Sequence, residues 1–265
     1  MLGKLMKYEL RATSRIMLPG FAAVLALSGL TRLSTEYLAG RGGWLNAVSV
    51  IVTVLFVLSC MAVGLLALVL MIQRFRDNLL RDEGYLMHTL PVSTAQNVFA
   101  KLLTSVIWYF GTAVAGVLAV YIQLANARNF SGVLQWLREA VVRVSPEMAA
   151  QGFLFLLELI LCATAGLSAF ALVIYASMAL GHRFQSHRGL MSVLIFFGIN
   201  IATQIAAGMA GAGVTRLTGN IWRLEMSAAA AVHLALLSTT AVLIIYGAVF
   251  YFITVGTLRR HLNLE

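Results

Sequence analysis

The chain is short of charge, proline and cysteine. Only 11% of its 265 residues are charged, against roughly a quarter in a soluble domain. With 60% of the residues apolar, an ordinary water-facing surface cannot be assembled, which excludes a typical cytosolic enzyme. The same apolar excess excludes a disordered chain, which needs low hydrophobicity. Three prolines, Pro19, Pro91 and Pro146, leave long stretches free to stay helical. The two cysteines, Cys60 and Cys162, sit inside apolar runs and read as small buried hydrophobes, not as a disulfide frame or a metal site. Acidic residues are scarce too: ten against nineteen Lys and Arg, for a net charge of +9. Spread among so many apolar residues, those nineteen cannot form a basic face for nucleic acid.

Catalytic motifs are also missing. A Walker A loop needs Gly-Lys followed by Ser or Thr so that backbone N–H groups and the lysine hold phosphates. The single Gly-Lys pair, Gly3-Lys4, is followed by Leu5. H-E-x-x-H and C-x-x-C are absent, and Gly166-Leu167-Ser168-Ala169 lacks the second glycine of a nucleophile elbow. No nucleotide, metal or other cofactor site is expected in this chain.

What is present is length of hydrocarbon. About 20 predominantly apolar residues cross a bilayer core. Six stretches reach that, at approximately 17–37, 44–72, 102–124, 153–180, 190–212 and 227–258. The expected fold is an all-α membrane protein of six transmembrane helices in one domain, residues 1–265. The first apolar run reads as a retained helix, not a cleaved secretory signal, because five more follow.

Basic residues give the orientation. Lys4, Lys7, Arg11 and Arg15 fall before the first span, and Arg74, Arg76, Arg81 and Lys101 between the second and third. Arg183 and Arg188 lie between the fourth and fifth, and Arg259 and Arg260 at the C-terminus. These twelve outweigh seven on the other side, so both termini are expected in the cytoplasm. The net charge is thereby a topology signal.

Leu2, Leu5, Met6 and Leu10 share a helical face that the basic residues largely avoid, so residues 2–15 are expected to form an amphipathic helix on the membrane surface. On the outer side, Phe130, Val133, Leu134, Leu137 and Val141 recur at helical spacing, predicting a second amphipathic helix within 125–152. Ser145-Pro146 offers an N-cap and first-turn proline for the fourth span.

Polar residues inside spans are few. Glu158, in the fourth, either faces a cavity or bonds to a neighbouring helix, since an intramembrane carboxylate is costly. His233, in the sixth span, is either satisfied by a neighbouring helix or catalytic. Asn200 and Gln204, four residues apart on the fifth, either line a translocation path with Glu158 or bond between helices.

The richest polar segment is 74–93. Asp82 can cap a short helix through Thr89, Pro91 breaks it, and Ser93 with Gln96 forms a capping box opening the next helix. Tyr85, Leu86, Met87 and Leu90 make the short helix apolar enough to dock. Here the chain resembles the membrane subunits of ABC-2-type ATP-binding-cassette transporters, in particular small bacterial six-span permeases. The residues that carry the resemblance are Lys7-Tyr8-Glu9-Leu10-Arg11-Ala12-Thr13-Ser14-Arg15, Asp82-Glu83-Gly84-Tyr85-Leu86, Thr89-Leu90-Pro91-Val92-Ser93 with Lys101-Leu102-Leu103, and Tyr175 to Gly181.

The resemblance implies a cytoplasmic coupling helix at Asp82, Glu83, Gly84, Tyr85, Leu86, Met87 and His88, seated in a groove of a separate ATPase subunit. His182, Arg183, His187 and Arg188 would make a lesser contact. ATP and Mg would be bound by that partner, and a second permease, identical or homologous, would complete a dimer in the bacterial cytoplasmic membrane. The implied activity is transport, with export favoured; a non-transporting anchor or sensor subunit and an intramembrane enzyme using Glu158 and His233 are the alternatives. The chain departs from many relatives in placing its long outer insert before the fourth span.

Overall fold

The computed structural model describes residues 2–80, 92–124, 131–132, 135, 139, 142, 151–184, 186–218 and 227–260. The described residues contain no strand and form six long helices: α1 (Leu2–Tyr37), α2 (Gly43–Leu79), α3 (Thr94–Leu124), α4 (Gly152–Gly181), α5 (Arg188–Thr218) and α6 (Ala228–Arg260). All six are long and apolar enough to cross a membrane. At 30 to 37 residues each, and 1.5 Å per residue, they are about 45–55 Å long and exceed a hydrocarbon core of about 30 Å. Their ends therefore reach or pass the headgroup level.

Large apolar side chains cover their outward faces: Val50, Ile51, Val54, Val57 and Leu58 on α2, and Leu190, Val193, Leu194, Phe197 and Ile201 on α5, are all more than half exposed. Water would penalise such faces and a lipid environment would not. The polypeptide divides into two compact units, Met1–Arg74 with Phe99–Ala140, and Phe75–Val98 with Val141–Glu265.

The first unit is built on α1, most of α2 and most of α3. Met17, Val24, Val63, Ala67, Leu70 and Ala119 form its core, with Phe21, Phe56, Trp108 and Tyr109 packed around them. A polar ladder runs up the α1–α3 seam. Lys101 Nζ donates to Glu9 Oε1 at 2.7 Å, both side chains buried. Trp108 Nε1 donates to Thr13 Oγ1 at 2.7 Å, Ser28 Oγ to the Ala119 carbonyl at 2.7 Å, and Arg32 Nη1 to the Ile122 carbonyl at 2.9 Å. Both partners rise together along these contacts, so α1 and α3 run parallel, as first and third spans must. Arg32 also places positive charge at the C-terminal end of α3, where the helix dipole favours it.

This seam alters one expectation. Residues 2–15 are not a separate helix: α1 is continuous from Leu2 to Tyr37, with Pro19 inside it. Glu9 and Thr13 hold its first turns against α3, and the Pro19 nitrogen has no N–H to give the helix ladder. Lys4, Lys7, Arg11 and Arg15 are exposed, as the amphipathic pattern requires. The turn into α2 uses Gly40, Gly42 and Gly43, all at positive φ (79°, 73° and 58°), where a side chain would be strained.

In the second unit α4 packs along both α5 and α6. Its interface with α6 is close because Gly247 has no side chain: a Cβ there would lie 3.6 Å from the Ala169 Cα. α4 and α5 approach closely at Gly181, where a Cβ would be 2.6 Å from the Ser192 backbone nitrogen and 2.7 Å from its Cα. The last turns of α2 and the first of α3 belong to this unit as well. Phe75 stacks on Tyr175 of α4 (centroids 4.1 Å apart, planes 9° apart), and Tyr251 of α6 donates to the Ala95 carbonyl at 2.9 Å.

The capping box at the start of α3 is present: Gln96 N–H donates to Ser93 Oγ, and Ser93 N–H to Gln96 Oε1, each at 3.3 Å. The fourth span opens later than Ser145-Pro146 suggests. α4 starts at Gly152 with Gln151 as N-cap, whose side chain makes no capping bond to the helix's first N–H groups.

Candidate functional site

Glu158 is the seventh residue of α4 and His233 the sixth of α6. Because these two helices run parallel, the two side chains meet at one level. His233 Nδ1 lies 2.7 Å from Glu158 Oε2, and His233 Nε2 lies 2.8 Å from Gln151 Oε1. The Glu158 and His233 side chains are mostly buried, at 14% and 18% exposure. Nδ1 donates to the carboxylate. With its oxygen toward Nε2 the Gln151 amide suits the charged ring, and turned over it suits the neutral one. The imidazole thus compensates an acid that would be costly in hydrocarbon. The second carboxylate oxygen, Oε1, accepts no hydrogen bond among the described residues.

Below this cluster the α4–α6 seam opens into a groove of about 300 Å³ lined by Leu161, Thr164, Ser168, Leu172, Thr240, Leu243 and Ile244 among others. Its three hydroxyls are spent on their own helices: Thr164 donates to Ile160, Ser168 to Thr164 and Thr240 to Leu236 carbonyls, at 2.7 Å each. The groove wall is therefore apolar in effect.

The other intramembrane polar residues are not joined to this cluster. Asn200 Nδ2 donates to the Phe196 carbonyl of its own helix at 2.8 Å, and Gln204 is exposed. The bond between α5 and α6 is made instead by Thr203 Oγ1 and the Tyr246 hydroxyl, 3.0 Å apart. Among the described residues, no hydrogen bond links Glu158 to Asn200 or Gln204.

The α4–α5 turn places His182, Arg183, His187 and Arg188 within one short stretch. His182 Nδ1 donates to the Met178 carbonyl at 2.9 Å, while Arg183, Phe184 and His187 are exposed. His187 has φ 55°, a left-handed conformation that reverses the chain before α5. Asp82, Glu83, Gly84, Tyr85, Leu86, Met87 and His88 lie outside the described residues, as does nearly all of the outer insert 125–150. The roots of the 81–91 segment are described, and Phe75, Leu79 and Val98 at those roots are fully buried.

The Glu9–Lys101 contact escaped the sequence, and Glu158–His233 was raised there only for the enzyme alternative. Glu158 and His233 are 75 residues apart, but both are the sixth or seventh residue of even-numbered spans, so a count from the span starts would have matched their depth. Lys101 read as a topology charge and as part of the resemblance, not as an ion-pair partner. Its signal was periodicity: Glu9 and Thr13 share one face of α1, Lys101 and Trp108 one face of α3. Among the described residues no three His, Cys, Asp or Glu come together as a metal site.

Comparison with protein-family models, curated proteins and solved structures finds no match.

Proposed function

We propose that the chain is the membrane-spanning permease subunit of an ABC transporter of the ABC-2 type, driven by a separate ATPase. The observation that supports this reading is the anchoring of the 81–91 segment. Its two roots, the end of α2 and the capped start of α3, pack in one unit with α4 and α6 through Phe75–Tyr175 and Ala95–Tyr251. A docking helix between such roots acts as a lever: a push on Asp82–His88 is delivered to α4 and α6 as rigid helices. The exposed Arg183 and Phe184 on the α4–α5 turn supply a second foothold for the same partner. The first turns of α1, with their exposed basic residues, sit at the headgroup level of the cytoplasmic leaflet. Both termini face the cytoplasm, two permeases form the path, and the direction is export.

The test is co-purification with the ABC ATPase encoded beside this chain, followed by ATPase and transport assays in proteoliposomes. Wild type is expected to bind the ATPase, and Tyr85→Ala or Gly84→Asp to abolish transport while the protein still inserts. No association with that ATPase, or full transport by both variants, overturns the proposal. Association without substrate-stimulated hydrolysis would instead indicate an anchor or sensor subunit.

The Glu158–His233 contact gives an intramembrane enzyme a second hearing. A carboxylate-oriented imidazole is half of a general-base pair. Its far nitrogen, however, faces Gln151 and not a hydroxyl or thiol, so no nucleophile is activated among the described residues. That reading requires turnover without ATP that is lost in Glu158→Gln.

A further inference from the structure

The polar cluster and the groove below it lie on one continuous face of α4 and α6. From Glu158, the positions Leu161, Ala165, Ser168, Ala169 and Leu172 follow at helical spacing, and from His233, Thr240 and Gly247 do the same. We propose that this seam binds a single-chain cationic amphiphile, with an ammonium head on Glu158 and Gln151 and its hydrocarbon chain in the groove.

Three observations choose that occupant. The head site offers acceptors: Glu158 Oε1 has no hydrogen-bond partner among the described residues, and a carboxylate in a low-dielectric setting gains most from a second cationic donor. The tail site offers none, because Thr164, Ser168 and Thr240 have bonded their hydroxyls to their own backbones. Its volume of about 300 Å³ falls at the lower end of small-ligand pockets, suiting one chain and not two. Leu161 and Ile244 on the rim are half exposed, so the groove opens sideways and a chain enters from the bilayer. A free anion or a sugar meets a carboxylate at one end and hydrocarbon along the rest, and gains nothing. The proposal does not depend on ATP or on the permease reading, because binding belongs to this chain alone.

The experiment uses the purified full chain in nanodiscs and a diazirine-bearing long-chain primary amine, with labelled peptides mapped by mass spectrometry. Labelling is expected to concentrate on 158–172 and 240–248, to be competed by dodecylamine, and to resist dodecanol and dodecanoate. Glu158→Gln should weaken competition by dodecylamine at least tenfold. Ile244→Trp, which fills the groove from its exposed rim and leaves the head cluster intact, should abolish the labelling if the chain seats there. Equal competition by dodecanol would show a groove that takes any chain, and labelling spread over all six helices would show ordinary lipid contact. Unchanged labelling in Ile244→Trp would place the probe elsewhere. Each of these three outcomes overturns the proposal. Because Ile244→Trp keeps Glu158 and His233, the test survives a Glu158→Gln variant that does not fold.

Discussion

Lys101 shows what a single residue can decide in a chain with so few charges. Its ammonium and the Glu9 carboxylate are 2.7 Å apart, with side chains only 4% and 8% exposed. Burying both ions is costly, so the pair adds little net stability; removing Lys101 alone takes away the 2.7 Å partner of a Glu9 carboxylate that stays buried. Lys101→Met is therefore expected to lower stability by about 3–5 kcal/mol, and the double variant Glu9→Gln/Lys101→Met to recover most of the loss. Thermal unfolding in one detergent, followed by far-UV circular dichroism, reads this directly; a double variant no better than the single would mean that Lys101 acts through its stem, not its charge. Gly181 makes a steric counterpart. A Cβ would sit 2.6 Å from a backbone nitrogen of α5, and backbone cannot swing aside as a side chain can. Gly181→Ala should cost about 1–3 kcal/mol, while Gly189→Ala, whose Cβ would meet open space, should be near neutral. The same unfolding measurement ranks them.

At the level of elements, α3 is a helix whose start is set by local chemistry. Ser93 and Gln96 satisfy each other's backbone N–H groups, and the bond lengths of 3.3 Å place their contribution toward the lower end for caps. Ser93→Ala should cost about 0.5–1 kcal/mol and fray the first turn, visible as faster amide exchange at Ala95 to Asn97, while Ser93→Asp retains protection. This cap was legible in the sequence because it is a four-residue pattern. The six spans were legible for the same kind of reason: an apolar run needs no knowledge of its neighbours. The continuity of α1 was not, because hydropathy falls across Lys4 to Arg15 while the backbone stays helical, held by a lysine nearly a hundred residues away. Likewise Glu158 announced itself as costly, but the imidazole and amide that compensate it come from α6 and from the N-cap of α4. Asn200 and Gln204 share a face by spacing, yet Asn200 satisfies itself on its own helix, which spacing does not reveal.

For the whole molecule, the scarce charges act as an address. The sequence puts twelve basic residues on one expected side against seven on the other, and the orientation proposed for the chain rests on that bias. Within the second unit this makes a sharp claim, because α4 puts 24 residues, about 36 Å, between Glu158 and the α4–α5 turn at His182. Gln151 and Ser227 lie at one end of that unit's parallel helices α4 and α6, while Ser186 lies just past the other end of α4. In a background with Cys60 and Cys162 replaced by alanine, single cysteines at 151 and 227 should react with a membrane-impermeant maleimide added to intact cells. A cysteine at 186, exposed in the turn beside Arg183 and Arg188, should react only after the membrane is opened. The reverse pattern would invert the topology, move Asp82–His88 to the outside and remove the ATPase from reach. Labelling of all three sites in intact cells would mean that α4 does not span at all. The pattern expected from the basic residues leaves the proposed coupling segment and the α4–α5 turn on the side where ATP is, and the Glu158 end of the amphiphile seam toward the opposite side.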